Sequence, residues 1–319
     1  MSIVTTVQEL SLMEQRLADP DATVRRITVM ELPYSDVDEP VPLLVKAMAD
    51  VDASVRLEAA KALEGLEDPE AVAALLLGLK DDDDEVRQAA ALSLAELKQD
   101  VHGPALLLML QDSDHFVKAS VLNALRELRV PQAFDSAMLA LDDSEPTVRR
   151  AAIGVLGYLK NPSALSALTR LASSDPDSNV RRAAVGALGF ASEVEVLPAL
   201  TSALADESWQ VREEAAATLG KLQLDGASEQ LIIAMHDDYW QVRVKAARSL
   251  GKMKVAAALH VLTEALAHTI SNLRKEAAIA LGEIGGQKAA AALEIALDDP
   301  DPDVRKIAKL ALMQIGKGL

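Results

Sequence analysis

Residues 206–222 read DESWQVREEAAATLGKL, and residues 237–253 read DDYWQVRVKAARSLGKM. The second stretch begins 31 residues after the first and repeats its tryptophan, its Gln-Val-Arg, its paired alanines and its Leu-Gly-Lys. Aligned on that Val-Arg, the whole chain resolves into ten copies, starting at Val24, Val55, Val86, Val117, Val148, Val180, Val211, Val242, Leu273 and Val304. The spacing is 31 residues everywhere except for one of 32, between Val148 and Val180. A fixed period of this length is the mark of one supersecondary unit stacked on copies of itself.

Within each copy a leucine stands eight residues after the Val, from Leu32 and Leu63 through to Leu281 and Leu312, and the residue four after it is usually Ala. Positions 0, 4, 8 and 11 share one face of an α-helix, so each copy contains an amphipathic helix, B. A second apolar helix, A, precedes it, as in EAVAALLLGLKD at 70–81. Asp, Glu, Ser and Pro cluster between the two, where they cap helix B and complement its positive N-terminal end. Acidic runs such as Asp81 to Asp84 are read as turn and cap chemistry; a calcium loop needs ligands converging around a glycine turn, and none is present. One such hairpin cannot bury its apolar faces alone, whereas stacked neighbours share a continuous core. The prediction is an all-α solenoid of ten helical hairpins. It is read as a single domain over 1–319, with capping repeats at 1–35 and 287–319, because Pro33 cuts the first B helix and Lys306, Lys309 and Gln314 make the last one more polar.

Composition agrees. The chain of 319 residues is 50% hydrophobic but only 3% aromatic, which suits helices packed through small side chains. It has no cysteine, which removes disulfides, thiolate metal sites and thiol catalysis. The N-terminal residues lack the basic region and apolar core of a signal peptide, and no run approaches the length of a membrane span, so a cytoplasmic location is expected. A formal net charge of −17 opposes general attraction to nucleic acid or an anionic membrane.

The pattern of Asp, Val-Arg, Ala-Ala and Ala-Leu-Gly resembles HEAT repeats, in particular the short HEAT-like repeats of the phycobilisome-lyase type. The resemblance covers virtually the whole chain. It implies that the basic residue after each Val, Arg in nine copies and Lys118 in one, pairs with the Asp of the preceding turn. On that rule Arg274 in the ninth copy, AHTISNLRKEAA, loses its partner and the local stack loosens. The resemblance also implies that the free side of helix B looks over a concave surface.

At 100° per residue, positions 2, 3, 6 and 10 and the residue before the Val fall on the side of helix B opposite the core. Tyr34, Tyr158 and Phe190 lie at position 10, Phe116 just before its Val, and Trp209 and Trp240 two before theirs, so six of the eight aromatic residues fall in a few columns. Tyr239 stands beside Trp240. Gly154 and Gly186 occupy position 6, leaving space next to Tyr158 and Phe190, and Arg150 and Arg182 occupy position 2 of the same two copies, which have no acid in these columns. Lys221, Lys245, Arg248 and Lys252 follow. The fifth to eighth copies thus offer an aromatic and locally basic trough. Aromatics, arginines and small neighbours are the ingredients of interface hot spots.

No catalytic motif competes with this reading. His102, His115, His236, His260 and His268 are scattered without metal-ligand spacing. The HEAT-like diiron enzyme deoxyhypusine hydroxylase uses His-Glu pairs early in its B helices, where this chain has Glu213 with Glu214 and Lys275 with Glu276. Neither a phosphate-binding glycine loop nor a serine nucleophile motif occurs. The sequence therefore points to a non-catalytic scaffold, adaptor or assembly factor without cofactor or metal. It grips a protein partner, an acidic or amphipathic segment or another copy of the chain, with Trp209 and Trp240 as anchors. The alternative drawn from the lyase-type resemblance is a protein that handles an open-chain tetrapyrrole, its propionates on Arg150 and Arg182 and its rings on Tyr158, Phe190 and Trp209.

Overall fold

The computed structural model describes residues 3–191 and 194–317, which contain twenty α-helices and no strand. Contacts divide the chain into two compact units, Met1–Leu159 and Lys160–Leu319. The first unit alternates A and B helices as α1 (Ile3–Leu17), α2 (Ala22–Glu31), α3 (Val41–Ala47), α4 (Ala53–Ala62), α5 (Pro69–Gly78), α6 (Asp84–Ala95), α7 (Gly103–Met109), α8 (His115–Leu128), α9 (Ala133–Ala140) and α10 (Pro146–Leu159). The second continues with α11 (Leu165–Ser174), α12 (Ser178–Ala187), α13 (Leu197–Ala203), α14 (Trp209–Leu222), α15 (Ser228–Ala234), α16 (Trp240–Lys252), α17 (Leu259–Ala265), α18 (Ser271–Ile284), α19 (Gln287–Ile295) and α20 (Pro302–Lys317). Each unit holds five hairpins. Within a unit each B helix packs on its own A helix and on the next B helix, which is the contact pattern of an α-solenoid.

The columns of the repeat explain the packing. The inner valines at position 0 and the leucines at position 8 are fully buried, from Val55 and Leu63 to Val242 and Leu250, each leucine removing about 1.5–3 kcal/mol worth of apolar surface from water. Val24 and Leu312, in the terminal copies, are only half-buried. As expected from Pro33, α2 stops at Glu31 and continues only as a short 3-10 turn, Leu32–Tyr34.

Neighbouring B helices approach closely because the residues between them are small. In the second unit the Ser249 hydroxyl donates to the Ala216 carbonyl at 2.7 Å, across the α14–α16 contact. A side chain on Gly220 would start 2.8 Å from the Ser249 Cα, and one on Gly282 would start 2.7 Å from the Ala311 Cβ. These glycines stand at position 9 because the backbones leave no room for a methyl group.

Candidate functional site

The N-terminal edge of the B helices is organised by two carboxylate columns. Asp21, Asp52, Asp83, Asp114 and Asp177 are N-caps that accept backbone N–H groups of the first turn. Two residues before the cap, a second Asp accepts the N–H of the cap residue itself, as Asp50 does from Asp52 and Asp237 from Tyr239. That second carboxylate is also the target of the arginine ladder. Arg25 donates through Nε and Nη2 to Asp50 at 2.7 and 2.7 Å, while its Nη1 reaches the Asp19 and Pro20 carbonyls of its own turn. Arg56 with Asp81, Arg181 with Asp206, Arg212 with Asp237 and Arg274 with Asp299 repeat the arrangement, and Lys118 meets Asp143 at 2.8 Å.

This reverses the expected direction of the ladder. In an intact rung the arginine binds the carbonyls of the preceding turn and the carboxylate of the following one, so Arg274 keeps its partner, Asp299, and the interrupted rung is one copy earlier. Arg243 faces the turn in which His268 replaces the Asp, and its Nε is buried without a hydrogen-bond partner. His268 Nδ1 accepts the Ile270 N–H at 3.0 Å, so it reproduces the turn but supplies no carboxylate. Burial, and then the positive charges of Arg243 and Arg274, hold the His268 imidazole below its ordinary pKa of 6.5. A second departure lies in the first unit, where Asp112 pairs with Lys80, and Arg87 turns to Asp84 with the ring of Phe116 5.9 Å from its guanidinium carbon.

Trp209 and Trp240 are the first residues of α14 and α16, on this same edge. Trp209 stacks on Tyr239, with ring centroids 5.4 Å apart and planes inclined by 12°. The Arg212 guanidinium sits 5.6 Å from the Tyr239 centroid while holding Asp237, so the pair is fastened to an intact rung. Tyr239 occupies the N-cap position that carries Asp in earlier copies, and makes no side-chain cap; Ser208 and Ile270, at the caps of α14 and α18, make none either. Losing a cap costs about 1 kcal/mol. A stacked aromatic pair returns about 0.5–1.5 kcal/mol, yet Tyr239 is still 45% exposed.

The other aromatics lie elsewhere. Phe190 is half-buried in the 3-10 turn that ends its B helix. Positions −2 and 10 are twelve residues apart, roughly 18 Å along a helix, so within the second unit Phe190 and the Trp209 edge are separate places. Tyr158, in the first unit, is 42% exposed, with Arg126 and Arg129 at 5.7 and 5.6 Å from its ring. The space expected over Gly154 is filled by the stem of Arg126, 3.1 Å from where a Cβ would be. The space over Gly186 is filled by the Glu214 carboxylate, at 3.0 Å. Half of the expected basic surface is neutralised: Arg182 meets Glu214 at 3.6 Å, Lys245 meets Glu213 at 3.8 Å, and Arg248 grips Glu276 through two bonds of 2.7 Å. The column reading missed these pairs because the acid comes from the adjacent repeat at a different position. Lys221 and Lys252 line a shallow cleft of about 510 Å³ together with Glu283 and Gln314. Burial, and then the Glu276 charge, push the Glu283 carboxyl up from its ordinary pKa. Arg150 is exposed on α10.

Among the described residues no three His, Asp or Glu side chains come together to hold a metal ion, and no helix is long and apolar enough to cross a membrane. A family model for HEAT repeats matches residues 10–95, 73–138, 134–220, 173–240 and 228–313. No curated protein is similar enough to match. Among solved structures, the chain is similar to Kap95p bound to RanGDP, with a TM-score of 0.70 at 14% identity, covering 97% of this chain and 52% of Kap95p. It is similar to Escherichia coli YibA, with a TM-score of 0.55 at 20% identity over 94% of this chain and 99% of YibA. It is also similar to an engineered protein, with a TM-score of 0.50 at 22% identity over 97% and 99% of the two chains. This chain thus spans about half the length of Kap95p. With family matches running from residue 10 to residue 313, the chain belongs to the HEAT-repeat family.

Proposed function

We propose that this HEAT-repeat protein is a non-catalytic scaffold or adaptor that holds a partner protein along the N-terminal edge of its B helices in the second unit. The observation that carries the reading is Tyr239. At a position that carries a capping Asp in other copies, the chain has a tyrosine, stacks it on Trp209 and places Trp240 beside it, half-buried. Large aromatics held in a fixed rotamer by a stack and a guanidinium are suited to anchor a partner, because little side-chain entropy remains to be lost on binding. Kap95p, which shares the fold, binds RanGDP and forms a complex with Nup1, so solenoids of this kind serve as protein-binding surfaces. An amphipathic segment with acidic residues fits best: its apolar side covers Trp209, Tyr239 and Trp240 at the N-terminal edge, and its carboxylates meet Lys221 and Lys252 about 18 Å farther along the B helices, so the segment runs down α14 and α16.

The test compares the protein with a variant carrying Trp209→Ala, Tyr239→Ala and Trp240→Ala in retention of partners from a lysate of the source cells. A bound protein should be lost from the variant, with its affinity reduced by about 30-fold or more, while thermal unfolding is little changed. Identical sets of retained proteins would refute the aromatic edge as the site. An absorbance change on adding a bilin would refute the scaffold reading altogether.

A further inference from the structure

The A helices of the first unit carry a feature that the aromatic edge does not explain. Leu77 on α5, Leu108 on α7 and Leu139 on α9 stand at the same position of three successive copies and are 72%, 72% and 80% exposed. These helices pack side by side, α5 on α7 and α7 on α9. Ala73 and Pro104, one turn earlier, are also exposed, and Val101 is 67% exposed. Single exposed leucines need no explanation, but three in register on adjoining helices make a continuous apolar stripe. The repeat does not require it: the equivalent residues are Lys46 in α3, Arg170 in α11, Ser202 in α13 and Glu264 in α17, and although Ile233 in α15 and Ile295 in α19 are also apolar and 64% and 77% exposed, Glu264 separates them, so only the first unit has three in a row.

We propose that this stripe is a docking surface for a basic amphipathic helix of a partner protein, laid across α5, α7 and α9. Packed helices are about 8–10 Å apart, so the leucines recur at that interval. Along an α-helix, residues seven apart are about 10.5 Å apart on one face. A helix with an apolar residue at each seventh position therefore matches the stripe leucine for leucine. The charge on its margins sets the sign of the partner. Glu70, Asp100 and Asp135 are exposed beside the stripe and form no ion pair among the described residues, against one exposed lysine, Lys46 on the adjoining α3, while Lys80 is already paired with Asp112. With a net charge of −17 on each chain, a second copy is repelled where a cationic helix is attracted.

The probe is a fluorescent helical peptide of about three heptads, with leucine at every seventh position and lysines on its flanks. Its binding to the full chain is followed by anisotropy. The protein should bind it, and Leu77→Gln with Leu108→Gln and Leu139→Gln should weaken binding by about tenfold or more with unfolding unchanged. A peptide of the same composition with the seven-residue spacing scrambled should bind correspondingly less. Equal binding of both peptides, or equal binding by both proteins, would overturn the proposal by reducing it to charge attraction. A concentration-dependent dimer abolished by the leucine substitutions would overturn it in favour of a second copy. The variant lacking Trp209, Tyr239 and Trp240 should bind the peptide normally, which separates this surface from the aromatic edge.

Discussion

Replacing His268 by Asp should stabilise the protein by completing the interrupted rung. In the intact rungs an arginine donates two bonds of 2.7 Å to an aspartate whose side chain is about one-tenth exposed, as in Arg25 with Asp50. Arg243 lacks that acceptor and its Nε is buried without a partner. A buried unsatisfied polar group costs about 1–3 kcal/mol. The new carboxylate must itself be desolvated, which leaves a gain of about 1–2 kcal/mol. The second unit spans Lys160–Leu319, so the midpoint of its unfolding should rise by about 2–8 °C at neutral pH. The pH dependence provides an independent check. His268 is held below its ordinary pKa, so as pH falls the unfolded chain takes up this proton first and the native state loses stability from about pH 6.5 downward. The variant has no imidazole there, and the new carboxylate stays ionised until near pH 4. The stability gap should therefore widen between pH 8 and pH 5.5 and shrink below about pH 4. Thermal unfolding by circular dichroism across that range measures it. Arg243→Met should abolish the gain, since a rung needs both ends. A variant no more stable than the parent at pH 7.5, or one equally stabilised with methionine at 243, would refute the ladder as described.

Two further outcomes test the packing and the charges. Gly220→Ala should cost about 3 kcal/mol in chemical denaturation, because its methyl group meets the Ser249 backbone, while Gly316→Ala, with nothing within 4 Å, should be neutral or slightly stabilising. The hydrogen bonds from Arg25 and Arg274 hold the Asp50 and Asp299 carboxyls below their ordinary pKa of 3.8, so their stabilisation is complete above about pH 4 and is lost as pH falls through their native values. Arg274→Met should accordingly flatten the acid limb of the stability profile, and an unchanged acid limb would count against the Arg274–Asp299 pair.

The fold was legible because the repeat multiplies its own signal. A buried valine or leucine in one copy means little, but the same residue at the same offset in ten copies fixes a helix, its buried face and its neighbours. The direction of the ladder was not legible. In a regular copy the arginine has an aspartate six residues before it in its own turn and another twenty-five residues ahead in the next copy, as Arg56 has Asp50 and Asp81, and such a pair cannot be distinguished by period alone. Only geometry shows that the first offers a carbonyl and the second a carboxylate. The neutralisation of Arg182, Lys245 and Arg248 was hidden for a related reason: their acids lie 28 or 32 residues away, so comparison at equal positions does not find them. The exposed leucines are legible in the sequence, since Leu77, Leu108 and Leu139 recur at the period of the repeat, in a column of helix A and not of helix B.

The departures from the repeat matter more than the repeat itself. Where the chain only has to stack, it keeps Asp at the cap, Asp two residues before it and Arg in the rung, as in the second copy with Asp52, Asp50 and Arg56. From the seventh to the ninth copy it gives up the capping carboxylate three times in succession, at Ser208, Tyr239 and Ile270, and the rung carboxylate once, at His268. Each change removes a local stabilising contact of about 1 kcal/mol or more. Stacking alone gives no reason for those losses to fall on consecutive turns of one edge, beside the Trp209–Tyr239 pair. A surface that presents aromatic rings to a partner would give one for Tyr239, whose ring projects from the cap position itself, between Trp209 and Trp240 at the starts of α14 and α16. Under the proposed function, the lost cap at Tyr239 and the exposure of its ring would be two consequences of one requirement. On this reasoning, Tyr239→Asp restores the cap and raises stability while weakening partner binding. Stability and binding that fell together would instead place the rings in the core of the stack.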